Sequence, residues 1–302
     1  MKKPGWLLIL LALAACQPLQ QEVVPQQLTS EPVKLVVACF IAPEDTVIAA
    51  KVARSRPLLD DETVTNLDIT NATVTLQSRT QSVVLRYDAR LRYYRVSPDE
   101  FPIIPGETYQ LTVQMPDGQR VDAETTVPAP VDLHRVRLDS EVVLENDVLR
   151  KRLFARYFWT DPPGVPNYYE TEGVFSYPCP NCNPAKTVRE PVQFLSGSGE
   201  RAFYTDQDRN GKPLTSGNGY LGASIPASDF LFSTVFQKPL VLTASLLHLN
   251  ADYYRYHEAL QRQQQADGNP FAEPVTIPSN IRGGLGCFGA YHRRSYELRV
   301  MN

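Results

Sequence analysis

The segment Pro178-Cys179-Pro180-Asn181-Cys182 sets two thiols three positions apart. Such a pair serves as a disulfide, as half of a zinc site or as a redox couple. Redox catalysis needs a helix N-terminus or a neighbouring cation to lower the first thiol's pKa. Here prolines and an asparagine surround the pair, and the following NPAKTVREP reads as a loop. Tetrahedral zinc needs two further ligands, yet the sequence has no second C-x-x-C and no paired-histidine motif; His134, His248, His257 and His292 are scattered. A disulfide between Cys179 and Cys182 on a surface loop is the expected arrangement.

Asp206-Gln207-Asp208-Arg209-Asn210-Gly211 begins as a calcium loop does, with oxygen side chains at alternate positions and glycine at the sharp turn. Asp206, Asp208 and Asn210 are therefore candidate ligands. Gly217 stands where the bidentate glutamate belongs and no flanking helices are evident, so a plain polar turn is the competing reading. Gly284-Leu285-Gly286-Cys287-Phe288-Gly289 satisfies G-x-G-x-x-G, but a dinucleotide site requires the motif between a strand and a helix, and a strand follows it here. Close packing or turns account better for these glycines. GSG at 197–199 lacks the nucleophile elbow. No catalytic constellation and no cofactor are expected. Cys39 alternates with Leu35, Val37 and Ile41, as a small buried residue does; it and Cys287 are expected as unpaired thiols, a bridge between them having to span two domains.

The remaining cysteine carries the most specific signal. Lys2 and Lys3 precede an apolar run, Trp6 to Ala14, that stops at Leu13-Ala14-Ala15-Cys16. A membrane span needs roughly 20 apolar residues, so the run reads as a secretory signal over 1–15. Small residues before a cysteine suit a lipoprotein signal: cleavage exposes Cys16, whose sulfur joins a diacylglycerol, with further acyl chains such as palmitate. Several chains exceed the marginal hold of one. Gln17, rather than aspartate, follows, which favours the outer membrane, on its surface or its periplasmic face. The Gln- and Pro-rich 16–31 segment is a tether. The formal charge of −3 becomes −5 without the signal's two lysines, and no Lys/Arg block stands out. A nucleic-acid partner lacks its electrostatic footprint.

Elements then follow from periodicity. ETYQLTVQM alternates in period two, turns at Pro116-Asp117-Gly118 and returns through Val121 to Val127, which predicts a hairpin. ATVTLQS and SVVLRYD predict another pair. KLVVACFIA, apolar on both faces, predicts a central strand. Val127-Pro128-Ala129-Pro130 reads as a stiff linker. Beyond it, Leu153, Ala155, Tyr157 and Trp159 share a strand face that ends at Asp161-Pro162-Pro163-Gly164. PLVLTASLLHL and SYELRV predict further strands. Asn250 as N-cap and Gly268 past the end frame one helix, 251–266, with Tyr253, Tyr256 and Leu260 on its docking stripe. The fold class is mainly β: an immunoglobulin-like sandwich over 32–128 and a fibronectin III-like sandwich over 131–302 with the helix inserted.

LVVACFIAPEDTVIAAKVARSRPL, IPGETYQLTVQMPDGQRV, WTDPPGVPNYYE and FAEPVTIPSNIRGGLGCFGAY resemble the recurring blocks of domain-of-unknown-function family 4249 across almost the whole chain. The resemblance implies a Bacteroidota lipoprotein encoded beside TonB-dependent outer-membrane receptors; it brings no known activity and no functional residues. The expected role is a non-enzymatic accessory or binding subunit of such a β-barrel receptor or transporter. A structural subunit of a cell-surface complex is the alternative, and a hydrolase with a dispersed site is a third. The helix and the Gly-rich segment 281–290 interrupt the second sandwich pattern, so Arg255, Arg262 and Arg282 are the candidate partner-facing residues.

Overall fold

The structure is a computed structural model that describes residues 32–56, 66–179, 186–194, 202–222, 225–226, 240–269 and 271–300. Cys16 and Cys182 lie outside the described residues, as do the whole of the expected signal (1–15) and of the expected tether (16–31).

Alternation builds the first sandwich. Its strands are β1 (Leu35–Ile41), β2 (Ile48–Arg54), β3 (Thr73–Gln77), β4 (Ser82–Asp88), β5 (Tyr93–Val96), β6 (Thr108–Gln114) and β7 (Arg120–Thr126). Leu35, Val37, Cys39 and Ile41 of β1 meet Val74 and Leu76 of β3 and Tyr109, Leu111 and Val113 of β6 in one core. Each fully buried side chain of this kind contributes about 1.5–3 kcal/mol. The strand β4 links the two layers, pairing with β3 through Ser82–Leu85 and with β5 through Arg86–Asp88. Both predicted hairpins form, β3 with β4 and β6 with β7.

The second sandwich takes β8 (Leu133–Glu145), β9 (Val148–Thr160), β10 (Tyr168–Pro178), β11 (Thr187–Pro191), β12 (Gln193–Phe194), β13 (Ala202–Thr205), β14 (Pro213–Thr215), β15 (Gly219–Tyr220), β16 (Ile225–Pro226) and β17 (Leu240–Leu249). One layer centres on β9, which pairs with β8 along one side and with β16, β15 and β14 along the other. Its predicted face (Ala155, Tyr157, Trp159) packs on Tyr169 and Phe175 of β10 and on Leu240 to Leu246 of β17.

The chain closes with helix α1 (Ala251–Ala266) and β18 (Leu285–Val300). Here the structure corrects the sequence reading. The Gly-rich segment is not an interruption of the second sandwich: Leu285 to Ala290 run parallel to β1, and Tyr291 to Val300 run antiparallel to β17. Ile281, Phe288 and Ala290 belong to the first core. One 16-residue strand is thus shared by both sandwiches, which period-two reading missed because glycines hide the alternation. Gly286 sits at φ +111°, and a Cβ there would lie 2.0 Å from Val37 O; only glycine fits. A Cβ on Gly289 would meet Tyr253 Cβ at 3.0 Å, where α1 presses on the strand.

The helix has the predicted bounds and caps: Asn250 Oδ1 accepts from Tyr253 N at 3.0 Å, and Gly268 is left-handed at φ +77°. Tyr253 and Ala259 are its buried residues, with Tyr256 and Leu260 only half-buried. A third cluster (Ala42, Leu247, Leu249, Tyr253, Tyr291) fills the seam below it. Lys34–Ser55 and Leu67–Asn302 form one compact unit, in which the first core includes Val127 and again Ile281, Phe288 and Ala290, and the second begins at Val131.

Candidate functional site

The densest polar chemistry lies along this seam, on the β17–β18 ladder, where His248 stands opposite His292. His248 Nδ1 is 2.7 Å from Ala129 O in the linker, and Nε2 is 3.0 Å from Asn167 Oδ1. Asn167 is oriented by its own amide, which donates to Pro162 O and Val165 O at 2.9 Å each. The His248 ring stacks on Tyr169, whose hydroxyl donates to Asp161 Oδ1 at 2.5 Å. Asp161, 1% exposed, also accepts from Gly211 N at 2.8 Å. This network ties the linker, the 161–167 loop and the 206–211 turn to the sheet. Burial, reinforced by Asp161, pushes the Tyr169 hydroxyl far above its usual pKa, and burial pulls His248 below the usual histidine range against the opposing pull of Ala129 O and Asp161.

Across the ladder, the β1–β2 turn supplies two carboxylates. Tyr291 donates to Asp45 Oδ1 at 2.6 Å, and Arg293 N to Glu44 Oε2 at 3.0 Å. Glu44 Oε1 stands 3.1 Å from His292 Nδ1, and the Arg293 guanidinium 3.1 Å from Glu172. Burial raises the Asp45 pKa and lowers that of His292, where Glu44 opposes it. The donors and acceptors in these two groups are largely spent on one another. Such an arrangement positions loops.

Of the residues singled out from sequence, Cys179 is disulfide-bonded, and its partner lies outside the described residues. Its N–H donates to Lys186 O at 2.8 Å, which places it at the mouth of the β10–β11 hairpin loop. Cys39 and Cys287 are free and buried. They are not in separate domains: Cys287 stands opposite Ala38, next to Cys39. Alternation points Cys39 into the first core, and Cys287 toward α1, where its thiol approaches Asp252 O at 3.7 Å. Opposite sheet faces forbid a bridge.

Asp206, Asp208 and Asn210 form a tight turn in which Arg209 N donates to Asp206 O at 2.7 Å. Asn210 spends its carbonyl oxygen on Gly164 N at 2.9 Å, and Asp208 adopts φ +62°. A shallow groove of about 340 Å³ borders the turn, with Tyr168 and Thr205 on its wall. Among the described residues no group of three or more His, Cys, Asp or Glu is placed to hold a metal ion. Arg255 is exposed on α1, and Arg262 pairs with Glu258 one turn back at 2.6 Å. Arg282 forks onto Asp122, with Nε at 2.6 Å, and staples the segment before β18 to β7. It is committed to the first sandwich, apart from the helical pair.

Sequence reading missed a polar cleft of about 620 Å³ on the first sandwich, where Arg86 and Arg95 face Glu100 and Asp88 at 3.4 and 3.0 Å. It also missed the seam network, although the stretches WTDPPGVPNYYE and FIAPED contain Asp161, Asn167, Tyr169, Glu44 and Asp45.

Fold and seam together define a mainly β protein of two sandwiches sharing their last strand. Within that class the chain belongs to the family described as Domain of unknown function (DUF4249), which matches residues 21–297. No curated protein matches it. Among solved structures it is similar to an "Enterococcal surface protein, partial N-terminal region", at 8% identity and a TM-score of 0.18, over 71% of this chain and 89% of that one.

Proposed function

We propose that the protein is a lipid-tethered, non-enzymatic accessory subunit that works with a TonB-dependent β-barrel receptor or transporter of the outer membrane. One observation carries this reading: LALAAC after a short basic start, followed by a Gln/Pro-rich tether before the first strand. A tether of this composition holds the folded unit off the lipid while confining it near membrane partners, where weak contacts suffice. The receptor enters through the resemblance of the sequence blocks to lipoproteins with such neighbours. Loops on a rigid scaffold are where recognition sits, and the seam supplies the rigidity by fixing the 161–167 and 206–211 loops.

The test is made on membranes. Mass spectrometry of the mature N-terminus is expected to find acylated Cys16, and Cys16→Ser to release the protein from the membrane fraction. Affinity purification of the tethered protein from solubilised outer membrane is expected to recover a β-barrel receptor. An unmodified N-terminus removes the anchor; an acylated protein that recovers no barrel under gentle solubilisation removes the accessory role.

A further inference from the structure

The strand β8 is 13 residues long and, among the described residues, pairs only with β9. Among the described residues its other edge is unpaired and presents a row of backbone donors and acceptors, the template on which another strand pairs. After a bulge between Leu133 and Arg135 it runs in regular register from Arg135 to Glu145. Arg135, Arg137, Asp139 and Glu141 lie on one face, and all are exposed except the half-buried Glu141. The charges are sorted by sign: cations in the first half, carboxylates in the second. A strand with that polarity is complementary to itself when reversed.

We infer that β8 is the site at which two copies of this chain pair, antiparallel edge to edge about a two-fold axis at Leu138. That register sets Arg137 opposite Asp139 of the second copy and Arg135 opposite Glu141, each twice by symmetry. Charge selects it over its neighbours. A slip of two residues one way puts Asp139 against Asp139, and the other way puts Arg137 against Arg137; slips of one residue reverse the faces. Charged edges commonly keep strands apart, and the acidic half of β8 also faces cations of its own hairpin, with Glu141 opposite Arg152 and Glu145 paired with Arg150 at 3.5 Å; the outward pairing of Arg135 and Arg137 is what a second copy would add. Arg137 and Asp139 already touch within one strand at 3.1 Å, and the second copy extends this pair into a ladder. The same register carries the apolar hairpin tip, with Val142 59% and Leu144 66% exposed, over the base of the neighbouring hairpin, as Val143 comes opposite Leu133.

The experiment is a charge swap on the full chain, read by sedimentation velocity, with circular dichroism as the folding control. Wild type is expected to show a concentration-dependent monomer–dimer equilibrium. Arg135→Glu with Arg137→Glu is expected to weaken the dimer at least about tenfold, since four favourable pairs become repulsive. Asp139→Arg with Glu141→Arg is expected to do the same. Mixing the two variants restores every pair in the heterodimer and is expected to return wild-type affinity. A wild type that is monomeric at its highest soluble concentration overturns the proposal. So do variants that dimerise as well as wild type, or a mixture of folded variants that stays monomeric.

Discussion

Tyr169 and Thr171 are neighbours on one face of β10, both with buried hydroxyls, and only one is spoken for. The Tyr169 hydroxyl donates to Asp161, whereas Thr171 Oγ1 has no hydrogen-bond partner among the described residues. Bonds to a buried charge contribute about 1.5–3 kcal/mol. Tyr169→Phe is therefore expected to lower unfolding free energy by about 2 kcal/mol in urea titration. Thr171→Val keeps the shape and removes an unsatisfied group, so it is expected to be neutral or to gain up to about 1 kcal/mol. The histidines give a pH signature. His248 and His292 both sit below the ordinary value of 6.5 through burial. The unfolded chain then takes up protons that the folded chain refuses, so their contribution is intact above that value and is lost as pH falls through it. The melting temperature is expected to fall between about pH 7.5 and about pH 5.5, with a shallower slope in His248→Gln. Burial also pushes Cys39 up to about 12 and Cys287 higher still. As the thiolate is the nucleophile, iodoacetamide is expected to label neither in the native protein and both in denaturant. Labelling of Cys287 without denaturant would show that α1 opens.

At the scale of elements the sharpest test is β18. Gly286→Ala forces a Cβ against Val37 O in a left-handed backbone, and is expected to cost about 3 kcal/mol or more. A loss below about 1 kcal/mol would mean that the parallel pairing with β1 is absent in solution. This strand also shows where sequence reading stops. Hairpins such as Thr108–Thr126 were legible because alternation and a Pro-Asp-Gly turn lie within twenty residues of one another. The helix was legible from Asn250 and Gly268 at its ends. The pairing of β1 with β18 left no local signal: its glycines are dictated by atoms of a distant strand, and the motif they spell belongs by coincidence to nucleotide-binding turns. The seam network failed to show for the same reason. Ala129, Asn167 and His248 come from three separate stretches, so no spacing relates them. Cys179 and the Asp206 turn lay within short windows and could be found; what their neighbours do with them could not.

For the whole molecule, two sandwiches joined by a shared strand and a common helix are expected to unfold together. Calorimetry is expected to show one transition with matching calorimetric and van't Hoff enthalpies; two resolved transitions would make the halves independent. Cutting at 128 is expected to give an aggregating fragment, because it strips β1 of its parallel neighbour and exposes a central strand as an edge. The same sharing sets an order of events. Val36 pairs with Leu285, 249 positions later. The strand made first must therefore wait for nearly the last one, and the loop-closure entropy of so long a segment slows the step further. A chain arrested at residue 284 is expected to stay protease-sensitive through its first hundred residues, and to become resistant once β18 is released. On the export route proposed above, in which the chain is threaded through a membrane from its N-terminus, this delay would be useful. The leading part stays unfolded for as long as the trailing part remains on the other side, so arrival of the C-terminus becomes the trigger for folding.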